Sequence, residues 1–205
     1  FNLFRHTGQR IFIERQGRYE QLSIPSAFEM SPNHGRWIYK KADLLFEVTV
    51  TASPDSPQTT LRFAMLRGPA CRWIVTHHLA EENGWHLKED RTSGDSRTLQ
   101  FIPDEQSRPG KKYKNGFFEV CLEKASAVET LGGDENVFTD GRSRSLPFLT
   151  VCLNPCKSGS ITIRGRLIPH HANETKKQNL SIIAAPLPPS AADSGLPELI
   201  EALPW

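Results

Sequence analysis

The sequence predicts a mainly β protein built as an antiparallel β-sandwich. Short segments in which apolar and polar residues alternate recur along the chain, as in half-buried strands. Turn residues separate these segments, and the chain contains 15 prolines and 14 glycines. A helical period of 3.6 residues appears only after Pro169 and close to the C-terminus. The strand–helix–strand alternation of a parallel sheet is therefore not predicted.

The size and composition fit one domain with a substantial core. The chain has 205 residues, of which 38% are hydrophobic and 23% are charged. No apolar run approaches the roughly 20 residues that a membrane-spanning helix needs, so no membrane contact is predicted. The four cysteines do not form the framework of a disulfide-rich protein, which favours a reducing compartment.

The strands are predicted from their alternation and from the turns between them. In residues 44–52 the side chains of Phe46, Val48 and Val50 share one face. Residues 60–66 follow across a proline-containing turn, and the two segments form a plausible antiparallel pair. About eight to ten strands are predicted in all, and the others include residues 10–14, 19–24, 71–75, 97–102, 116–122, 146–153 and 160–168.

Three stretches carry no such pattern. Residues 79–96 are polar and are predicted to be a long surface loop, and residues 123–145 are predicted to be a second one. Residues 104–115 are predicted to be a connection with a small basic run.

The last predicted strand, residues 160–168, has distinct faces. Ile161 and Ile163 point to one side, whereas Arg164 and Arg166 point to the other. A short helix is predicted after Pro169, with Lys176 near its end. Guanidiniums beside a helix start are suited to phosphate. The alternative interpretation is an ordinary edge strand with solvated arginines.

A basic loop precedes the strand at residues 146–153 and contains Arg142 and Arg144. Loops at one end of a sandwich cluster together, so these arginines are expected near the end of the 160–168 strand. Such a surface fits the phosphates of double-stranded DNA. A protein-interaction sandwich is the alternative function.

The candidates for chemistry at a site are few. Cys121, His77 and Cys71 are the predicted zinc ligands, with His78 as an alternative histidine. No nucleophile elbow and no convergent set of titratable residues appears, so the protein is predicted not to be an enzyme.

The C-terminal tail is predicted to be separate from the sandwich. Residues 1–185 form the predicted domain, and residues 186–205 form a proline-rich linker with a short amphipathic segment. An isolated helix of this length is marginal in water. The tail is therefore expected to pack on its own domain, on a second copy in a homo-oligomer, or on a protein partner.

With these segments placed, the chain resembles the tumour-suppressor p-fifty-three-like family of transcription factors. The resemblance spans about residues 29–179 and lies mainly in the order of the segments. The segments that carry it are MSPNHGRWIYKKA, FEVTVTASPDSPQTTLRFAM, GFFEVC, SRSLPFLTVCL and SITIRGRLIPHHANETKKQN.

That resemblance implies a fold, a partner and roles for single residues. The implied fold is an immunoglobulin-like sandwich, with a short helix after its last strand, that binds DNA in the nucleus. Arg164 matches the strand arginine that contacts phosphate, Cys121 matches a zinc cysteine, and His77 or His78 matches the zinc histidine. His171 stands in the DNA-contacting helix, and Arg144 lies beside the place of the minor-groove arginine.

Overall fold

The computed structural model describes residues 8–78, 85–113, 115–146 and 148–166, most of which lie in strands. The strands are β1 (Gln9–Arg15), β2 (Arg18–Gln21), β3 (Ala27–Ser31), β4 (His34–Lys41), β5 (Leu44–Ala52), β6 (Gln58–Arg67), β7 (Cys71–His78), β8 (Trp85–Ser93), β9 (Ser96–Pro103), β10 (Phe117–Leu122), β11 (Val128–Gly132), β12 (Phe148–Cys156) and β13 (Ser158–Arg166). One helical turn, α1 (Arg108–Lys112), and two 3-10 helices (Ala125–Ala127 and Asp134–Val137) complete the described elements.

The strands form two antiparallel sheets. A five-stranded sheet has the order β11-β12-β7-β1-β2, and an eight-stranded sheet has the order β3-β4-β5-β6-β13-β10-β9-β8. The prediction of a mainly β antiparallel sandwich is confirmed. The predicted helix after the last strand, the tail and the boundary between residues 185 and 186 lie outside the described residues.

The core lies between the sheets and is centred on Trp73 of β7. The Trp73 ring centroid is 4.6 Å from that of Phe63 on β6 and 6.1 Å from that of Phe46 on β5. All three side chains are almost fully buried, and each such burial contributes roughly 1.5–3 kcal/mol. The Phe63 ring also packs over Gly159 of β13. A Cβ at that position would lie 2.4 Å from the ring, so a glycine is required there.

Strands with one apolar face were predicted most closely. β5 has the predicted bounds, and it pairs with β6 as expected. β12 starts two residues later than predicted and continues through Pro155 to Cys156. Its register with β7 shifts between Leu153 and Cys156, and such a bulge accommodates a proline within a strand.

The predicted surface loop at residues 79–96 is wrong for the part that the structure describes. Trp85–Ser93 forms β8, the edge strand of the eight-stranded sheet. The strand is polar on most of its length, so its alternation is hidden in the sequence. Asp90 of β8 pairs with Arg97 of β9, with 2.6 Å between Oδ2 and Nη2. This contact between the two strands of the hairpin is not visible from neighbouring residues in the sequence.

The second predicted loop, residues 123–145, also contains regular structure. β11 and both 3-10 helices lie within it, and β11 adds an edge strand to the five-stranded sheet. In the part of the chain that the structure describes, no helix is long and apolar enough to span a membrane.

Candidate functional site

A buried carboxylate, Glu119, lies at the centre of a polar network on the outer face of the eight-stranded sheet. Its Oε1 accepts a hydrogen bond from Arg91 Nη2 at 2.7 Å and another from Gln100 Nε2 at 3.2 Å. Its Oε2 accepts a hydrogen bond from Arg164 Nε at 2.7 Å. We call the four residues Arg91, Gln100, Glu119 and Arg164 the Glu119 network. They come from four adjacent strands, β8, β9, β10 and β13.

The strand alternation explains how these residues meet. On β10, Phe118 and Val120 point into the core, so Glu119 between them points outward. Glu119 is directly opposite Arg164 on one side and Gln100 on the other. Cross-strand partners lie close enough for their side chains to interact. The register of β9, β10 and β13 therefore brings Gln100, Glu119 and Arg164 together, and Arg91 reaches Glu119 from the next strand, β8.

The network fixes two cations that solvent can reach. The Arg164 side chain is 52% exposed and that of Arg91 is 54% exposed, whereas that of Glu119 is only 7% exposed. The hydrogen bond to Glu119 raises the pKa of Arg164. The terminal Nη1 and Nη2 of Arg164 make no hydrogen bond to the described residues. They form an oriented pair of donors that fits two acceptor oxygens of one ligand.

A second buried carboxylate, Asp134, organises the segment between β11 and β12. Ser143 Oγ donates to its Oδ1 at 2.5 Å. The amides of Arg144 and Leu146 donate to its Oδ2 at 2.7 and 3.2 Å. We call residues 133–146 the Asp134 loop. The 3-10 helix that begins at Asp134 contacts β12, so the loop is attached to the five-stranded sheet.

The backbone of the Asp134 loop turns sharply at Ser145, which has a φ of 58°. This left-handed residue lies between the two amides that bind Oδ2. Burial by itself would raise the pKa of Asp134, but the hydrogen bonds from Ser143, Arg144 and Leu146 lower it. Asp134 is therefore an ionised anchor for the loop.

Arg144 is held within the Asp134 loop. Its guanidinium binds both carboxylate oxygens of Asp140, at 2.7 and 2.9 Å, and lies 4.0 Å from the ring centroid of Phe138. Its Nη1 also donates to the carbonyl of Arg142, whose side chain is exposed. The positive charge of Arg144 is thus already paired inside the loop.

An open cleft of about 340 Å³ lies at one end of the sandwich. The turns β1–β2, β4–β5 and β6–β7 surround it. Its wall is apolar at Met65 and Leu44, and charged at Arg15, Asp43 and Arg72. Its volume is in the range of small-molecule sites.

The structure does not bring the three predicted zinc ligands together. Cys71 and His77 stand at opposite ends of β7, roughly 20 Å apart at the rise of a strand, and Cys121 belongs to the other sheet. Zinc ligands must all lie about 2 Å from one ion. Burial also raises the pKa of the Cys71 thiol to about 11, which disfavours the thiolate that zinc binds. Among the described residues, no group of three or more His, Cys, Asp or Glu could hold a metal ion.

The predicted DNA-contacting arginines do not form one cationic surface. Arg144 is paired with Asp140 on the side of the five-stranded sheet, and Arg164 is paired with Glu119 on the eight-stranded sheet. Arg142 is exposed on the Asp134 loop. Arg166 is the last residue of β13, and nothing further is described of its side chain. Of the remaining predicted contacts, His171 and Lys176 lie outside the described residues.

Comparison with known proteins establishes the class. Residues 1–165 match the family model of the glycoside phosphorylase supersandwich domain. This match covers most of the 205 residues, so the chain belongs to that family.

A curated protein and a solved structure are among the proteins that are similar to this chain. A 1,2-beta-oligoglucan phosphorylase of Listeria innocua serovar 6a is 26% identical over an alignment of 148 residues, which covers 67% of this chain and 14% of that relative. The chain thus spans about one-seventh of the curated relative that it matches. A solved structure titled "Putative kojibiose phosphorylase from human microbiome" has a TM-score of 0.39 and 10% identity, and the match covers 77% of this chain and 22% of that one.

The family assignment overturns the functional predictions from sequence. The resemblance to the p-fifty-three-like family is wrong, and so are the transcription-factor function and the DNA partner that it implied. The alternative of a protein-interaction module that uses its tail is not supported. The prediction of a non-enzyme is also wrong, because the family is that of an enzyme-related domain.

Glu119 and Asp134 were both missed in the sequence. Glu119 follows two phenylalanines in an otherwise apolar strand, and a lone acid inside such a strand is a detectable signal, because it must be exposed or paired. Asp134 follows two glycines in a polar segment, where an acid is unremarkable. Only the fold shows that Asp134 is 2% exposed.

Proposed function

We propose that this chain is the supersandwich domain of a glycoside phosphorylase that acts on a β-linked glucan. The single observation that carries the proposal is the family match over residues 1–165. The similar Listeria protein is named for 1,2-beta-oligoglucan, which sets the substrate class to test first. In phosphorolysis, inorganic phosphate takes the glycosyl group as the bond between two sugars breaks.

The carboxylates described above suggest that this domain supports the reaction without cleaving the bond. A general acid for glycosidic cleavage needs a carboxyl group that keeps its proton near neutral pH. The pKa of Asp134 is instead lowered. Glu119 is enclosed by two guanidiniums and an amide. The proposed role is therefore to hold sugar on a prearranged polar surface.

The Glu119 network supports this role best. Arg164 offers two uncommitted Nη donors, which match the spacing of neighbouring hydroxyl oxygens on a sugar. Thr162 adds a hydroxyl two positions away on the same face of β13, and it is bonded to Thr60 at 2.9 Å. Phe117 is on the same face of β10 as Glu119, two positions away, and provides an apolar neighbour. Fixed donors beside an apolar group are typical of ligand sites.

The class of reaction is tested on the natural polypeptide that carries this chain. It is incubated with β-1,2-linked gluco-oligosaccharides in the presence and absence of inorganic phosphate. We expect sugar phosphate to form only when phosphate is present. The isolated 205-residue chain is expected to give no turnover. Absence of phosphate-dependent cleavage for all β-linked gluco-oligosaccharides tried would overturn the proposal.

The role of the surface is tested by Arg164→Ala in the same polypeptide. Losing hydrogen bonds from a charged donor costs roughly 1.5–3 kcal/mol, so KM for the oligosaccharide is expected to rise about tenfold or more while kcat changes little. Asp43→Ala, in the cleft at the end of the sandwich, is the matched control and should leave KM unchanged. An unchanged KM in Arg164→Ala, or a larger rise in Asp43→Ala, would contradict the assignment of the sugar to the Glu119 network.

A further inference from the structure

Exposed apolar side chains are concentrated at one corner of the sandwich. Ile24 is 87% exposed, Met30 is 79% exposed and Phe28 is 48% exposed. All three lie within residues 24–30, on β3 or just before it. Single exposed apolar residues are ordinary on a protein surface, but a contiguous group marks an interaction site. We call Ile24, Phe28, Met30 and the adjacent Trp37 the β3 corner.

Three residues of the β3 corner, Phe28, Met30 and Trp37, form one apolar surface. Phe28 and Met30 are two positions apart and share a face of β3. The Phe28 ring centroid is 5.0 Å from that of Trp37 on β4. The Trp37 ring covers Gly35, where a Cβ would lie 2.9 Å from it, and Gly35 is directly opposite Met30. The absence of a side chain at Gly35 therefore extends the aromatic surface to Met30.

The polar residues of this hairpin lie on its other face. Arg36 Nη1 donates to Glu29 Oε2 at 2.8 Å, and Arg36 Nε donates to Glu47 Oε2 at 2.8 Å. The positions of Glu29 and Arg36 alternate with those of Phe28 and Trp37. A sugar site needs polar groups that converge beside its aromatic rings. The β3 corner turns its polar groups away, so it favours an apolar protein surface as its occupant.

The backbone at the β3 corner is also open. β3 is the last strand of the eight-stranded sheet, and no described strand pairs with its outer edge. Apolar edge strands attract other chains unless something covers them. β8, the opposite edge strand, is mostly polar, and two of its charged residues are paired with Arg97 and Glu119. The two edge strands of this sheet therefore differ: β3 presents a group of exposed apolar side chains that another chain could bury, and β8 does not.

We propose that the β3 corner docks another domain of the same polypeptide. The inference rests on the proposed function, in which this chain works within a longer enzyme. The curated relative supports this occupant, because the matched region is only 14% of its length. In such an enzyme the rest of the polypeptide is held close to the β3 corner, at high effective concentration. This contact is within one polypeptide.

Hydrogen exchange of the two edge strands tests the docking. Exchange is measured by mass spectrometry on the isolated 205-residue chain and on the natural polypeptide. Amides of residues 24–31 are expected to exchange at least tenfold more slowly in the longer protein, and amides of β8 serve as the internal reference. Equal exchange of residues 24–31 in the two proteins would overturn the proposal.

A double variant, Phe28→Ser with Met30→Ser, tests the side chains. Both are exposed, but the Phe28 ring packs on Trp37, so the isolated chain is expected to stay folded and to lose only about 2–4 °C of its melting temperature. In the natural polypeptide the variant should lose the tenfold protection of residues 24–31. Leu87→Ser, at a 49% exposed position on β8, is the matched control and should change nothing.

Other occupants give different results. Dimerisation of the isolated chain that Phe28→Ser with Met30→Ser abolishes would identify a second copy as the occupant and overturn the proposal. Protection of residues 24–31 by gluco-oligosaccharide in the isolated chain would also overturn it. Failure of the docking proposal can be told apart from failure of the proposed function. The first is measured by amide exchange at β3, and the second is measured by phosphate-dependent turnover.

Discussion

Glu119 and Asp134 are both buried carboxylates, and they are satisfied in opposite ways. The partners of Glu119 are side chains from three other strands, and they lie 19 to 45 positions away in the sequence. The partners of Asp134 lie 9 to 12 positions away, and two of the three are backbone amides of its own loop. The Glu119 network joins four strands, whereas Asp134 closes one loop.

Because their partners lie at different distances in the sequence, the two carboxylates stabilise different parts of the protein. Interactions between distant strands form only when the sheet is complete. Their loss therefore lowers the free energy of global unfolding. A group that closes a loop can be lost while the strands remain, because local opening needs less free energy than global unfolding. The Glu119 network is therefore expected to report on the whole sandwich, and Asp134 is expected to report on its loop.

A third buried group, His77, is expected to give the largest change in the free energy of unfolding. Its acid response has to be measured separately from that of the two carboxylates. His77 is 4% exposed, and burial lowers its pKa to about 4. The unfolded chain binds the proton with a pKa of about 6.5, so acid favours unfolding between these two values. The free energy of unfolding should fall by about 2.5 kcal/mol from pH 7 to pH 4.5. Urea titrations at both pH values measure it.

His77→Gln is the control for that measurement. It removes the titrating group and keeps a polar side chain near Gln9, whose Nε2 lies 3.0 Å from His77 Nδ1. The variant should lose most of the decrease between pH 7 and pH 4.5. An equal decrease in the variant would show that the carboxylates already respond in this range.

Removal of the Glu119 side chain has the next largest effect. Breaking a fully buried ion pair costs roughly 3–5 kcal/mol. Both guanidiniums are half exposed and remain solvated, so we expect Glu119→Ala to cost about 2 kcal/mol of global stability. Chemical denaturation measures the loss. Glu89→Ala, which removes an exposed partner 3.3 Å from Arg91, is the control and should cost less than about 0.5 kcal/mol. Similar losses in the two variants would contradict a special role of Glu119.

Asp134→Ala should have the smallest global effect, about 1 kcal/mol or less, because the loop opens locally. Amide exchange at Arg144 and Leu146 should rise at least tenfold while exchange in β5 and β6 is unchanged. Since the pKa of Asp134 is lowered, the same opening in the wild type should begin only as the pH falls below about 4. Asp140→Ala is the control, because it removes the exposed pair with Arg144 and the hydrogen bond from the Arg142 amide but leaves the contacts of Asp134 in place. If Asp134→Ala lowered the global stability as much as Glu119→Ala does, Asp134 would not act only on its own loop.

The fold was more predictable than the site because its signals are local. The alternation in residues 44–52 and 60–66 is visible in adjacent residues, and both strands formed and paired as predicted. β8 was missed because an edge strand that is polar on most of its length lacks that alternation. The outward direction of Arg164 was predicted correctly. Its partner was not, because Glu119 is 45 positions away.

The pairing of Arg164 also explains why the DNA-binding hypothesis failed. Unpaired arginines on a strand and in a loop indicate a surface for phosphates. In the folded protein Arg164 is paired with Glu119 on the eight-stranded sheet, and Arg144 is paired with Asp140 in a loop next to the five-stranded sheet. A count of basic residues along the sequence includes the cations but not the carboxylates that the fold places beside them.

The amino-acid pattern alone was enough to predict strands with one apolar face and their packing as a sandwich. This follows because side-chain direction in a strand has a period of two and depends only on neighbouring residues. The register of distant strands is needed to show that Glu119 meets Arg91, Gln100 and Arg164, and that no described strand pairs with the outer edge of β3. These features depend on the order and register of strands that are far apart in the sequence, and strand alternation carries no information about which strands become neighbours.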